Sequence, residues 1–276
     1  MDKNYEKYKK VAIGGLVVIN IIIYYAIFNY IYFKPKVLFL PVGEGDSELI
    51  KTKAGNILID AGPKQNVLVP LSQKTSLFDK TIDIALITHP DVDHFEGLLK
   101  ILDYYKVRLV VLNNFSSQNG TYIELLLRLC KQEIPIVVGT TDTIIYLGQS
   151  DTFLKILYPD MQNLQNIKTD NDFSIVSLLN LNNKKFLFTG DITAKFLDGV
   201  VNKFLRGQTI DVLKIPHHGA KNTLSDNILK NMLVGKAVIE VGKNSYGHPT
   251  DFIINLLRDF GISYQRTDLD GIIEFQ

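Results

Sequence analysis

The chain has 276 residues, 46% of them hydrophobic and 21% charged, with a formal net charge of +1. That composition excludes a disordered or low-complexity protein and supplies apolar material for a sizeable core, while the near-zero charge provides no global field for gathering nucleic acid. The single cysteine, Cys130, excludes an internal disulfide and a multi-cysteine metal site.

In chain order, the first element is an uncharged run from Val11 to Phe33, VAIGGLVVINIIIYYAIFNYIYF. As a helix it is long enough to cross a hydrocarbon core of about 30 Å. Tyr24, Tyr25, Tyr30 and Tyr32 include rings suited to a membrane interface, Asn20 and Asn29 are tolerable inside a span, and no small-residue cleavage site follows. The expectation is a retained transmembrane anchor over residues 11–33 behind a short cytoplasmic tail, residues 1–10. Lys3, Lys7, Lys9 and Lys10 precede the span and only Lys34 and Lys36 follow closely, so the positive-inside rule puts the remainder of the chain outside the cell.

After Pro35, short apolar runs alternate with helical patterns: VLFLPV, NILIDAG, TIDIALIT, then a helix near Glu96 to Tyr105. RLVVLNN, a helix near Tyr122 to Gln132 and PIVVG follow, then a β-rich middle through FLKILYP, FSIVSLL and KKFLFTGD. The outline then repeats. A helix near Ile192 to Leu205 leads to IDVLKIP, one near Ser225 to Leu233 to AVIEVG, and one near Asp251 to Phe260 to ISYQRT and GIIEF. No linker-like stretch interrupts residues 36–276, which read as one domain. Two β-rich, helix-bearing halves of comparable length predict a four-layer α/β sandwich.

The strongest local signal is Thr88-His89-Pro90-Asp91-Val92-Asp93-His94, on the turn that follows the apolar strand IDIALI. Two imidazoles and two carboxylates within six residues can converge on more than one cation, because both are ligands for zinc or manganese. Asp191 follows the apolar run KKFLF, a position more often occupied by a turn or cap residue. His217 and His218 lie at another strand end, in Pro216-His217-His218-Gly219, and His248 lies in the turn Tyr246-Gly247-His248-Pro249. These are all five histidines of the chain, each at a predicted strand or turn end.

Together with Val42-Gly43-Glu44-Gly45-Asp46, Leu58-Ile59-Asp60-Ala61-Gly62, Asn171, Ser174, Thr189-Gly190-Asp191, Arg266-Thr267-Asp268 and Asp270-Gly271, these motifs occur in an order that resembles a known family. Over residues 36–276 the chain resembles the metallo-β-lactamase-fold hydrolases, and among them the external hydrolase domain of ComEC-type competence DNA-uptake proteins. The resemblance implies an αββα sandwich holding two divalent ions, zinc or manganese. His89 and Asp91 would serve one ion, Asp93, His94 and His218 the other, with Asp191 between them. Asp60 would orient a ligand histidine from behind. Departures from the family pattern are Glu44 where Gln is common, Ala220 where Ser often follows the His-His-Gly, and the absence of a histidine from Asp170-Asn171-Asp172-Phe173-Ser174.

A water bridging two such ions gives up a proton near neutral pH, so no Ser or Cys nucleophile is needed. His217, His248 and Asp93 are the candidate catalytic groups, the two histidines binding substrate oxyanions or protonating a leaving oxygen. The expected activity is that of a phosphodiesterase or nuclease, with DNA among its candidate substrates. Hydrolysis of a carbonyl ester, thioester or lactam, and a non-catalytic membrane-tethered binding module, are the alternatives on the same fold.

Overall fold

The computed structural model describes residues 3–76, 80–148, 151–160 and 169–276; Met1 and Asp2 of the expected N-terminal tail lie outside the described residues. The chain divides into two compact units, Met1–Lys34 and Pro35–Gln276. The first is the helix α1 (Lys3–Ile31), within which Lys7–Tyr25 is long and apolar enough to cross a membrane.

The second unit opens with β1 (Lys36–Phe39), β2 (Glu48–Thr52), β3 (Gly55–Ile59), α2 (Leu68–Lys74), β4 (Thr81–Ile82), β5 (Ile84–Leu86) and α3 (Val92–Tyr104). It continues with β6 (Lys106–Val107), β7 (Val110–Leu112), α4 (Gly120–Lys131), β8 (Ile136–Val138), β9 (Ile144–Tyr146), β10 (Phe153–Tyr158), β11 (Val176–Leu181) and β12 (Lys184–Phe188). The last elements are α5 (Ala194–Val200), β13 (Thr209–Lys214), α6 (Asp226–Asn231), β14 (Leu233–Ile239), α7 (Asp251–Asp259), β15 (Ser263–Arg266), α8 (Thr267–Asp270) and β16 (Ile273–Phe275).

Two seven-stranded sheets result, in the orders β16-β1-β2-β3-β5-β7-β8 and β15-β14-β13-β12-β11-β10-β9. Each begins as an antiparallel meander and becomes parallel, from β3 onward in the first and from β12 onward in the second. The final strand, β16, returns to pair with β1, so the two halves close on each other.

The layer count follows from where alternate side chains go, since successive residues of a strand face opposite sides. Val37 and Phe39 of β1 enter a core shared with Leu154, Ile156, Phe186 and Phe188 of the second sheet. Their neighbour Leu38 instead joins a core with Phe95, Leu98 and Leu125 of α3 and α4. Leu187 of β12 and Ala237 of β14 turn the other way, onto Leu197, Ile228 and Ile253 of α5, α6 and α7. Three separate apolar cores are the three interfaces of four layers, helix, sheet, sheet, helix, as the repeated outline predicts.

Among the elements that differ from expectation, three bear on the site. The strand β2 was hidden because it carries Glu48 and Lys51, and Glu48 is buried, which breaks the apolar alternation. The short helix α2 was not expected at all. The third, α3, begins at Val92 and not near Glu96, so Asp93 and His94 sit in the first turn of a helix where a bare turn was expected. Its amphipathic pattern reaches back to Phe95 and, through His94, into the interior.

Candidate metal centre

The chemistry-bearing residues gather at the carboxyl ends of the parallel strands of both sheets, where open α/β sheets place ligands. Asp60 follows β3, Thr88 and His89 follow β5, Asp191 follows β12, and His217 and His218 follow β13. Asp60, His217 and His218 all hold positive φ, at 51°, 48° and 52°. For residues with a Cβ each such conformation costs about 1–2 kcal/mol, and it persists only where the surroundings dictate it.

Asp60 is the organiser of the first half. Its Oδ1 accepts from Thr88 N at 2.8 Å, and its Oδ2 accepts from Thr88 Oγ1 and from His94 Nδ1, both at 2.7 Å. Because the Thr88 hydroxyl donates to Asp60, it is left to accept from His89 Nδ1 at 3.0 Å. In the second half His218 Nδ1 donates to the Glu240 carbonyl at 2.9 Å. All three rings thus spend their Nδ1 proton on the protein, so each presents the lone pair of Nε2 forward, the arrangement of a metal-ligating histidine. His89, His94 and His218 are 1%, 0% and 2% exposed.

Those lone pairs meet carboxylates. His94 Nε2 lies 3.3 Å and His218 Nε2 3.9 Å from Asp191 Oδ2, and His218 Nε2 is 3.4 Å from Asp93 Oδ2. His89 Nε2 is 3.5 Å from Asp91 Oδ2. Two ligands bonded to one ion at about 2.1 Å stand roughly 3.4 Å apart in a tetrahedral arrangement. The donor atoms of His89, His94 and Asp191 form one close group, and those of Asp93, His94 and His218 another. Asp91 belongs to neither of these groups and is ion-paired with His89.

The fit to cations can be tested on the polar atoms themselves. His89 Nε2, His94 Nε2 and Asp191 Oδ1 are buried without a hydrogen-bond partner among the described residues. An unsatisfied buried polar atom costs about 1–3 kcal/mol, so the two imidazole nitrogens beside the Asp191 carboxylate suit a shared cation. Asp91, at the N-cap position of α3, makes no side-chain capping bond, and Asp191 is not the cap of α5, a role taken by Thr193. The ordinary helix-end explanation therefore fails for both. Gly190 allows the approach of Asp191: at φ +51°, an added Cβ would stand 3.0 Å from the Thr88 and Ser174 side chains. The residues present fit divalent cations held by nitrogen and oxygen.

Electrostatics agree. Burial pulls His94 and His218 towards neutrality, but the carboxylates around them, Asp191 foremost, outweigh it and hold both well above the usual histidine range. Burial pushes Asp191 up, and the His94 and His218 imidazoles bring it well below its usual value. Protons here do the work a cation would do.

Two expected catalytic residues flank this group. His217 is 3.7 Å from Asp191 Oδ2 through Nε2, with Asn171 Nδ2 3.2 Å from its Nδ1, and burial lowers its pKa. His248 lies beside it, ring centroids 5.6 Å apart. Asp93, the third, has a side chain 33% exposed. Ser174 Oγ accepts from Asp191 N.

Sequence reasoning missed what lies beneath. Lys214 is fully buried, ion-paired with Asp46, and donates to the Gly190 carbonyl at 3.0 Å. Asp46 Oδ1 is 3.3 Å from His218 Nδ1. Glu48 and Glu240 sit alongside, both raised by burial, Glu240 to about 8. A lysine at the buried end of a parallel strand, shortly before Pro216-His217-His218, was the available signal.

Comparison with known proteins places these features. The family model of the Metallo-beta-lactamase superfamily matches residues 40–239. The chain is 27% identical over 259 residues to the ComE operon protein 3 of Bacillus subtilis, covering 86% of this chain and 32% of that protein. It is 24% identical over 248 residues to Recombination protein 2 of Haemophilus influenzae, covering 84% of this chain and 27% of that one. The chain therefore spans about a third or less of the length of these curated relatives. Among solved structures, the metallo-beta-lactamase fold protein YhfI from Bacillus subtilis superposes with a TM-score of 0.55 at 11% identity, covering 88% of this chain and all of that one (100%).

Cations bound at His94 and His218 would compete with protons, which the surrounding carboxylates favour on both rings. Loading is expected to release protons, and apparent affinity to fall as pH falls through the raised histidine values. Calorimetry in buffers of different ionisation enthalpy measures this, and binding without proton release would contradict the ligand assignment.

Proposed function

From the premise that the chain belongs to the metallo-beta-lactamase superfamily, we propose that it is a membrane-anchored, metal-dependent phosphodiesterase with DNA as its candidate substrate. The observation that carries this reading is the set of three Nε2 lone pairs, on His89, His94 and His218, gathered with the buried Asp191 carboxylate. The name of the relative Recombination protein 2 favours a phosphodiester over a carbonyl substrate.

In this reading His89 and Asp91 would hold one cation and Asp93, His94 and His218 the other, with Asp191 contributing a carboxylate to both; zinc and manganese both suit such a donor set. When bound, a pair of divalent ions supplies an acidified water and positive charge facing the reacting phosphorus. The chain's own side chains do the remainder. His217, kept neutral by burial and accepting from the Asn171 amide at Nδ1, offers Nε2–H to a non-bridging oxygen of the substrate. Asp93, the more open carboxylate, faces the attacking water, and His248 protonates the leaving oxygen. The anchor is α1, and the lysine bias around it puts the hydrolase domain outside the cell. Protease added to intact cells is expected to digest that domain, and its protection would reverse the orientation.

The detergent-solubilised chain, supplied with zinc or manganese, is expected to cleave bis-p-nitrophenyl phosphate in preference to thioester and lactam substrates. Asp191→Ala should lose bound metal together with at least ~10²-fold of the rate, because it removes the ligand that holds both ions. His248→Ala should keep its metal and lose rate alone. A thioester or lactam turned over faster than the diester would contradict the substrate class, and an Asp191→Ala protein with full metal and activity would contradict the site.

A further inference from the structure

His248 does not stand alone. Its Nδ1 is 3.1 Å from Glu44 Oε1, and Glu44 Oε2 accepts from Gly242 N at 3.0 Å, so both carboxylate oxygens are engaged. The two side chains are only 12% and 16% exposed. The backbone around them leaves little play: a Cβ on Gly242 would stand 2.4 Å from the Gly43 carbonyl carbon, so the loop after β1 and the loop after β14 are seated directly on each other. Asn244 completes the support, its Oδ1 accepting from His248 N at 3.1 Å and its Nδ2 donating to the His248 carbonyl at 2.9 Å. The Tyr246 ring stacks on the imidazole at 5.7 Å and 26°. With the Nδ1 proton given to Glu44, Nε2 is the free ring atom, and it makes no hydrogen bond among the described residues.

We propose that Glu44 is a positioning residue which, through its carboxylate, fixes the His248 ring with Nδ1–H donated and Nε2 free, and so makes His248 the acid that protonates the departing oxygen. The proposal deepens the phosphodiesterase reading and rests on it. A carboxylate behind an imidazole sets its tautomer and stabilises its cationic form, which a neutral amide does only in part. In the step itself the water oxygen bonds to phosphorus, giving up a proton to Asp93, as the bond from phosphorus to the leaving oxygen breaks. That oxygen takes the Nε2 proton of the His248 imidazolium, which leaves the neutral ring with its remaining proton on Nδ1 against Glu44, and solvent returns a proton to Nε2.

The consequence is a dependence on the leaving group. A p-nitrophenolate departs with little help from an acid, whereas the deoxyribose alkoxide of a thymidine dinucleotide needs the proton. Glu44→Gln preserves an acceptor for Nδ1–H and lacks the charge. Measured on the full chain loaded with manganese, its ratio of dinucleotide rate to bis-p-nitrophenyl phosphate rate is expected to fall about 10-fold relative to the parent. An unchanged ratio, whether both rates fall together or neither falls, would overturn the proposal, since a merely structural role lowers both alike. Nitrogen NMR of the His248 ring supplies a readout that needs no turnover. Its neutral form in the parent is expected to carry the proton on Nδ1, with Glu44→Leu shifting it towards Nε2. A parent already protonated on Nε2 would overturn the dyad even if hydrolysis proceeds. A parent that shows the Nδ1–H form and cleaves neither diester would support the dyad and refute the phosphodiesterase reading.

Discussion

Burying the Asp191 carboxylate is the constraint on which the rest of this structure depends. At 2% exposure and with one oxygen lacking any hydrogen-bond partner among the described residues, it would be expected to take up a proton or be compensated by positive charge. The imidazoles of His94 and His218 provide that compensation, and each is itself held by a partner on its far side. In the proposed centre the same nitrogens would serve a metal ion. Below them the buried ion pair of Lys214 with Asp46 adds no net charge, and burial pushes the Glu48 and Glu240 carboxyls up.

Only the two-sheet architecture can hold such a group together. Asp60, Thr88 and His89 come from the first sheet, Asp191, His217 and His218 from the second, and neither half contains a complete set. The central core that joins the sheets, built from Phe39, Ile59, Leu86, Phe186 and Phe188, sets the spacing between the two groups. It also underwrites the left-handed backbone at Asp60, His217 and His218, which local preference alone would abandon. The glycine at 190 serves the same end by letting one strand end approach another closely.

Much of this was legible in the sequence. Alternating apolar runs marked most of the strands, and the same alternation, divided between two faces, accounts for the layers. The motif at His89 to His94 and the strand-end positions of Asp191 and His218 pointed to the side chains that the fold brings together. What escaped was charge inside the elements. Glu48 masked β2, and Lys214 read as an ordinary strand residue, since a buried ion pair is invisible until its partner from a distant strand is placed beside it. The N-terminal reach of α3 was missed for a related reason: Asp91 looked like part of a polar turn, and its failure to cap the helix is a matter of side-chain direction. The pairing of Glu44 with His248, more than two hundred residues apart, likewise exists only in the fold.

The central claim is that this cluster of imidazoles and carboxylates is built for two divalent cations. Elemental analysis of the purified full chain, after incubation with zinc or manganese and removal of free metal, tests it most directly. Two ions per chain in the parent, with both lost on Asp191→Ala, is the predicted result. A parent that retains none, with the fold intact by circular dichroism, would contradict the account.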